Sequence, residues 1–375
     1  MLRPTFAEIS LKALCHNFGA IQKRLPQNAR MLAMVKADGY GHGAPQVAQK
    51  LIECGVTGLG VATIEEGIEL RDANISAPIL IMGGMLGMGE AACETMLEHA
   101  LTPVIHSLDA VVMLESVAAR RRKKTTVHLK VDTGMSRLGV RPEALRAVLA
   151  ELSRCEWLSV QGVMTHLASV HDAESTSQQV EQFLSIKTHI ENALGPVSIW
   201  HIGNGGAILE GRPLQLSEDR EWWVRPGLLL YGTKDGCVTE CEVQPVMVLK
   251  SHIALLKTIP ENTKVSYGGT FTAKRLTRLG VVPIGYADGY PWRVSGKASV
   301  LVGGQKIPVI GRVTMDMIMI DVTDLAQVNV GDEVVLMGTQ GTERITVDDV
   351  AKWAGTLPYE IFCGISKRMP RVYVE

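Results

Sequence analysis

The chain has 375 residues, 46% of them hydrophobic and 21% charged, with a formal net charge of −1. That length allows two domains and a large core, and the near-zero charge excludes a protein built around nucleic acid, since the one basic run, residues 120–124, reads as a solvated helix end. No apolar stretch approaches the roughly 20 residues of a membrane span, and the first residues lack the apolar segment of a secretory signal. Seven cysteines are scattered without a Cys-x-x-Cys pair, and the odd count reads as free thiols in a reducing compartment. Ten histidines are dispersed without metal-ligand spacing. The composition describes a cytoplasmic, metal-independent globular protein.

Residues 5–9 read as a short strand, and Ser10 as the N-cap of a helix that runs to about Leu25 before Pro26. Apolar strand-like runs then recur near 30–36, 57–62, 78–82, 102–105, 126–132, 157–165, 198–202 and 223–231. Helical patterns separate them, among them 44–54, 64–73, 108–121, 142–152 and 174–194. Short buried strands alternating with helices indicate parallel βα units. Eight units in about 200 residues predict a closed (β/α)8 barrel over residues 1–240, with an open doubly wound sheet as the alternative. Beyond residue 240 the pattern changes: 246–259, 264–271, 277–284, 298–302, 306–313, 317–322 and 333–337 are strand-like, with little helix between. Gly303-Gly304 reads as a hairpin turn, and Thr346 starts one helix with a capping-box pattern. Residues 241–375 therefore form a separate β domain, and the strand at 5–9 is free to pair with it.

In a barrel of this kind reactive groups collect where strands end. Lys36 closes the first strand, Asp132 and Arg137 follow the fifth, His166 the sixth, His201 and Asn204 the seventh, and Arg225 lies in the eighth. A lysine at the end of a buried strand loses solvation, which lowers its pKa and makes the amine a nucleophile suited to a Schiff base with a carbonyl cofactor. The plainer reading is a lysine that snorkels to water. Gly203-Asn204-Gly205-Gly206 exposes backbone N–H groups at a helix start, where barrels commonly bind phosphate.

The stretch Val35-Lys36-Ala37-Asp38-Gly39-Tyr40-Gly41-His42 resembles the pyridoxal-phosphate (PLP) lysine segment of the alanine racemase family. The resemblance continues through Lys130-Val-Asp132-Thr-Gly134-Met-Ser-Arg137, Met164-Thr-His166, Arg225-Pro-Gly227-Leu228, Gly285-Tyr286-Ala-Asp288-Gly and Gly311-Arg312-Val-Thr-Met315. It implies PLP as cofactor, carried by Lys36 and held by Tyr40, His166, Asn204, Gly205, Arg225, Gly227 and Leu228. Arg137 and the Met315 N–H would bind the carboxylate of a small amino-acid substrate, and Lys130 is carbamylated in some family members. Lys36 and Tyr286 would serve as the two bases, with Tyr286 and Met315 entering the barrel of a homodimer partner. The implied activity is interconversion of L- and D-alanine, in D-alanine supply for peptidoglycan or in its breakdown.

Three positions depart from the family pattern: Gly205 replaces a serine, Thr314 a cysteine, and Lys367 stands where a phosphate-binding tyrosine is expected. Rival readings are a serine or broad-spectrum racemase, a decarboxylase of the same barrel class, and a non-catalytic PLP carrier. One hydroxyl separates serine from alanine, and a pocket rejects it weakly unless built to do so.

Overall fold

The computed structural model describes residues 3–85, 87–212, 221–234 and 240–375. Strand β1 (Phe6–Ser10) comes first, followed by a helix over Leu11–Gln22 whose Ala13 N–H is capped by the Ser10 hydroxyl. Eight strands then follow: β2 (Ala29–Met34), β3 (Gly58–Val61), β4 (Ile79–Ile81), β5 (Thr102–Ile105), β6 (Thr125–Lys130), β7 (Leu158–Met164), β8 (Ile199–Asn204) and β9 (Glu221–Arg225). All pair in parallel with their neighbours, and β9 returns to β2 with Ala29 opposite Trp222 and Met31 opposite Val224. The sheet is a closed barrel. Helices fill the crossovers, including Ala44–Glu53, Ile64–Asp72, Leu108–Arg121, Pro142–Leu152 and Ala173–Leu194. An additional helix, Gly89–Glu98, completes the third crossover; the stretch before it, with Gly83, Gly84 and Gly87, masks the helical period in the sequence.

The C-terminal region is a second, all-β sheet carrying two short helices. Its strands are β10 (Met247–His252), β11 (Leu255–Ile259), β12 (Lys264–Val265), β13 (Phe271–Thr272), β14 (Thr277–Val282), β15 (Ser299–Val302), β16 (Gln305–Ile310), β17 (Ile318–Asp321), β18 (Glu333–Gln340), β19 (Glu343–Ile345) and β20 (Arg371–Val374). Their order is β11-β14-β17-β16-β15-β18-β10-β1-β20, with β19 beside β18 and a separate β12–β13 pair. The first strand of the chain thus lies inside this sheet, antiparallel to β10 and parallel to β20.

Several sequence expectations are corrected. The run 246–259 is two strands, because the chain turns at Ile253-Ala254 and sends β10 and β11 to different neighbours. The run 264–271 is a strand of two residues followed by a tight turn over Tyr267–Gly269, since Gly268 and Gly269 both take positive φ. The eighth barrel strand stops at Arg225, before Pro226, and Leu228–Tyr231 is a 3-10 turn. His201 lies within β8, fully buried, with its Nε2 2.9 Å from His128 Nδ1 on β6; it packs inside the barrel and is absent from its mouth.

The reading of all cysteines as free thiols is also corrected. Cys15 and Cys54 form a disulfide, with Cα atoms 6.0 Å apart. Sequence spacing hides the pair, since 39 residues separate the two and only helix packing brings them together. Cys237 lies outside the described residues. No helix among the described residues is long and apolar enough to cross a membrane.

Candidate active site

The C-terminal ends of the barrel strands open on a cavity of about 770 Å³. Lys36, Tyr40, Lys130, Arg137, His166, Asn204, Gly205, Arg225, Gly227 and Leu228 all line it. Residues up to 192 positions apart therefore meet in one place, because parallel strands deliver every crossover to the same rim.

Lys36 stands two residues beyond β2, where the backbone changes hand. Ala37, Asp38, Gly39 and Tyr40 have φ of 52–60° and ψ of 42–52°, one turn of left-handed helix. For the three non-glycine residues that conformation costs on the order of 1–2 kcal/mol each, so the surroundings must hold it. Asp38 accepts the Ala44 N–H at 2.8 Å, and Arg371 Nε donates to the Gly41 carbonyl at 3.0 Å. Tyr373 donates to the His42 carbonyl at 3.2 Å. The turn aims the Tyr40 ring between Tyr231 and Tyr359, with centroids 5.0 and 6.1 Å away. Its hydroxyl reaches the loop after β9 so closely that a Cβ at Gly227 would lie 2.3 Å from it. Only glycine permits that approach.

Asn204 closes β8 and caps the short helix Gly205–Leu209. Its side-chain oxygen accepts the Ala207 N–H at 3.0 Å, and its amide donates to the Leu167 carbonyl at 3.2 Å. The asparagine side chain is thus spent on shaping the loop, which leaves backbone N–H groups to face the cavity.

Electrostatics give the cavity its character. Lys36, Lys130, Arg137, Arg225 and Lys234 line it, and no Asp or Glu is among the described residues that do. Asp132 turns inward to its own loop and accepts the Gly134 and Ser136 N–H groups, both at 3.0 Å. Burial, then the Arg137 charge, lowers the Lys36 pKa. Burial, then Arg225 and Arg137, brings Lys130 down to about 8. Burial also lowers Arg225 to about 10 and, with the Arg225 charge, holds His166 well below its ordinary value. A neutral His166 can accept at Nδ1, where Arg225 Nη2 lies 3.4 Å away; the same nitrogen donates to the Thr165 carbonyl at 2.5 Å. Arg225 Nη1 is buried with no hydrogen-bond partner among the described residues. A donor left open in so positive a cavity calls for an acceptor from a ligand. These residues fit PLP: a lysine of lowered pKa, a glycine-lined cradle under Tyr40, and an open guanidinium N–H.

The remaining sequence-predicted residues lie elsewhere. Lys367 is exposed and is not among the cavity-lining residues. Tyr359 lines the cavity instead, on a helix over Pro358–Gly364 that the strand-rich pattern of this region concealed. That helix packs so tightly on the left-handed turn that a Cβ at Gly41 would meet the Phe362 carbonyl oxygen at 2.1 Å. Tyr286 and Met315 sit on adjacent loops of the C-terminal domain, joined by the Tyr286 N–H to Thr314 carbonyl bond and the Ala287 N–H to Met315 carbonyl bond, both 3.0 Å. They are 46% and 52% exposed and do not line the cavity of their own chain. Near them Ser266 Oγ donates to the Arg312 carbonyl at 2.7 Å and anchors the turn that carries Tyr267. Tyr267 is 72% exposed, and Ser266 before it takes φ 63°.

A closed parallel barrel with a lysine and an anion cradle at its mouth, joined to a β domain, defines a two-domain barrel enzyme. The sequence matches the family descriptions "Alanine racemase, N-terminal domain" over residues 9–235 and "Alanine racemase, C-terminal domain" over 246–373. The chain belongs to the alanine racemase family. An alanine racemase of Halothermothrix orenii is 40% identical over 99% of this chain and 97% of its own. "Alanine racemase 2" of Caldanaerobacter subterraneus is 39% identical over 100% and 95%. Among solved structures, alanine racemase of Clostridium difficile 630 superposes with a TM-score of 0.89 at 34% identity, covering 99% of this chain and 96% of that one. Alanine racemase of Bacillus anthracis, with bound L-Ala-P, gives 0.90 at 30% identity, covering 100% and 95%.

Proposed function

We propose that the chain is an isomerase that interconverts L-alanine and D-alanine with pyridoxal phosphate. The observation that carries this reading is the cavity itself, where four cations surround a lysine of lowered pKa and no carboxylate is among the described lining residues. It suits a ligand pair with two anionic groups, a phosphate and a substrate carboxylate. When bound, the cofactor supplies the electron sink that makes an α-proton removable.

The chain's own groups divide the work. Lys36 would hold the cofactor covalently and, once released from it, move a proton on one face of the substrate. Tyr40, Tyr359 and the N–H groups of Gly205, Gly227 and Leu228 would hold the phosphate, with Asn204 shaping their loop. Arg225 would turn its open N–H toward the ring nitrogen, and its pKa of about 10 keeps that proton on the guanidinium near neutral pH. His166, backed by Arg225, would face the second base. Arg137 and the Met315 N–H would bind the carboxylate. Lys367 has no part in this assignment, because it stands away from the cavity.

The second base comes from a partner subunit in a homodimer, since Tyr286 and Met315 lie on an exposed face of the C-terminal domain. Family resemblance marks Tyr286 for this role. The geometry favours Tyr267, which is more exposed and held out by a backbone turn with a strained serine at its base; such strain concentrates at functional sites. An exposed apolar set, with Trp292 and Met317 at 50% and 47% exposure, supplies the surface that a dimer would bury.

The test is incubation of the PLP-loaded protein with L-alanine in D2O, following the Cα proton and chirality together. Exchange accompanied by D-alanine is expected. Retained protons, or carbon dioxide release, would return the carrier or decarboxylase reading. L-Serine run in parallel reports the substrate range.

A further inference from the structure

Glu66 sits on the helix Ile64–Asp72 and is not among the residues that line the cavity. Thr63 caps that helix, and Glu66 forms the reciprocal half of the capping box. An ordinary box spends the carboxylate on the N-cap N–H. Here that bond is the longest the carboxylate makes, 3.3 Å from Thr63. The shorter ones go to the Ala62 N–H at 2.7 Å and, outside the helix altogether, to the Ala37 N–H at 2.6 Å. Ala37 follows Lys36 directly and is the first residue of the left-handed turn.

The far end of that turn is held by Asp38, Arg371 and Tyr373. Its near end, where the lysine is, is held by Glu66. We infer that Glu66 is a positioning residue for Lys36, fixing the backbone from which the lysine projects and placing one negative charge behind an otherwise cationic cavity. The inference rests on the reading of Lys36 as the cofactor lysine.

The surroundings define what its removal does. Lys36 faces Arg137 and Lys130 across the barrel mouth, His166 beyond the end of β7, and Cys363 on the C-terminal helix. Tyr40 on its own turn is also near Glu66. Burial and Arg137 lower the lysine pKa, while Glu66 and Cys363 oppose them. Loss of the Glu66 charge therefore moves the pH at which the amine becomes nucleophilic downward.

The experiment compares wild type, E66Q and E66A. Each is treated with PLP and borohydride across a pH series, the modified Lys36 peptide is quantified by mass spectrometry, and kinetics and thermal melts are recorded alongside. E66Q keeps the shape and one acceptor oxygen. It is expected to show a trapping midpoint lower by about half a pH unit or more, kcat reduced roughly tenfold, and KM for alanine within about twofold. E66A is expected to show the same midpoint shift with a lower Tm. A lower Tm in either variant with an unmoved midpoint and kcat would reduce Glu66 to a helix cap and overturn the inference. Wild-type behaviour of E66Q would overturn it too. If wild type is not trapped at Lys36, the lysine reading falls and takes this inference with it; a normal wild type beside an unchanged E66Q removes the inference alone.

Discussion

Arg3 reaches Asp288 with both ends of its guanidinium, Nη1 to Oδ1 at 2.5 Å and Nη2 to Oδ2 at 2.6 Å, and donates from Nη2 to the Pro283 carbonyl at 2.8 Å. Asp288 is fully buried and also accepts the Gly285 N–H at 3.0 Å, so the pair fixes the turn that presents Tyr286. Arg368 extends the chain of charges, 3.4 Å from Asp288 and 2.8 Å from Asp316 beside Met315. Burial pushes the Asp288 pKa up, but the hydrogen bonds from Arg3 and Gly285 outweigh it and hold the carboxyl below its usual value. Replacing Arg3 by alanine leaves a buried carboxylate with the Gly285 N–H and the more distant Arg368. The expected loss is on the order of 3 kcal/mol, measured by urea unfolding at pH 7. A loss under about 0.5 kcal/mol, the range of an ordinary surface change, would show that the pair contributes little.

Acid should unfold this protein early. Burial brings His42, His106 and His128 down to about 4, and His166 and His201 well below the ordinary value. The unfolded chain takes up protons at about pH 6.5 while the folded chain refuses them. Stability is therefore complete above that pH and is lost as pH falls toward the folded values, by about 1.4 kcal/mol per pH unit for each histidine. The urea midpoint should hold level from pH 8 to 7 and fall steeply below 6. A midpoint unchanged at pH 5 would contradict neutral burial of these rings.

At Gly227 an added methyl collides with Tyr40, whose Oη and Cζ would lie 2.3 and 3.0 Å from it. G227A should retain the fold, since the clash is with a side chain at the cavity, yet lose PLP affinity by roughly tenfold or more, about 1.4 kcal/mol. Fluorescence titration of the apoprotein measures it. Y40A added to G227A removes the colliding ring and serves as the control for loop distortion. Unchanged affinity in G227A would place the phosphate elsewhere.

A shared active site predicts complementation. K36A alone and Y267F alone should each be nearly inactive, and mixing them after mild dissociation should restore activity from hybrid dimers carrying one complete site. If Y286F complements K36A and Y267F retains wild-type rates, the second base is Tyr286. Failure of every mixture, with hybrids confirmed by native mass spectrometry, would rule out sharing.

Cys15 and Cys54 close a loop across 39 residues. The chain-entropy argument gives about 4 kcal/mol for such a loop, an upper figure for most disulfides. C15S/C54S should lower the urea midpoint by the equivalent of about 2–4 kcal/mol, and dithiothreitol should do the same to wild type. Identical midpoints with and without reductant would show that the link contributes nothing.

Much of the site was legible because barrel strands run parallel: once Lys36, His166, Asn204 and Arg225 are assigned to strand ends, their convergence follows without further information. The left-handed turn was not legible, because Ala37, Asp38 and Tyr40 have no preference for positive φ and adopt it only under the hold of Glu66, Asp38 and Arg371. Tyr359 escaped notice because its seven-residue helix is too short to impose a period. Tyr267 lay inside a run of β-prone residues, and the paired Gly268 and Gly269 were the only cue that the strand breaks there. Lys367 was singled out by a family resemblance over a short loop, whereas the tyrosine at the cavity stands eight residues earlier, at Tyr359. The Cys15–Cys54 link depends on helix packing, which no local pattern encodes.

The position of β1 between β10 and β20 has a consequence for biosynthesis. The strand leaves the ribosome well before its partners, since β10 follows it by about 240 residues and β20 by about 360. At roughly 5–20 residues per second, β1 waits about 12–50 s for its first neighbour. The barrel can close in that interval, so the nascent chain passes through a stage with a finished catalytic half and one bare strand, a natural point of engagement for a chaperone.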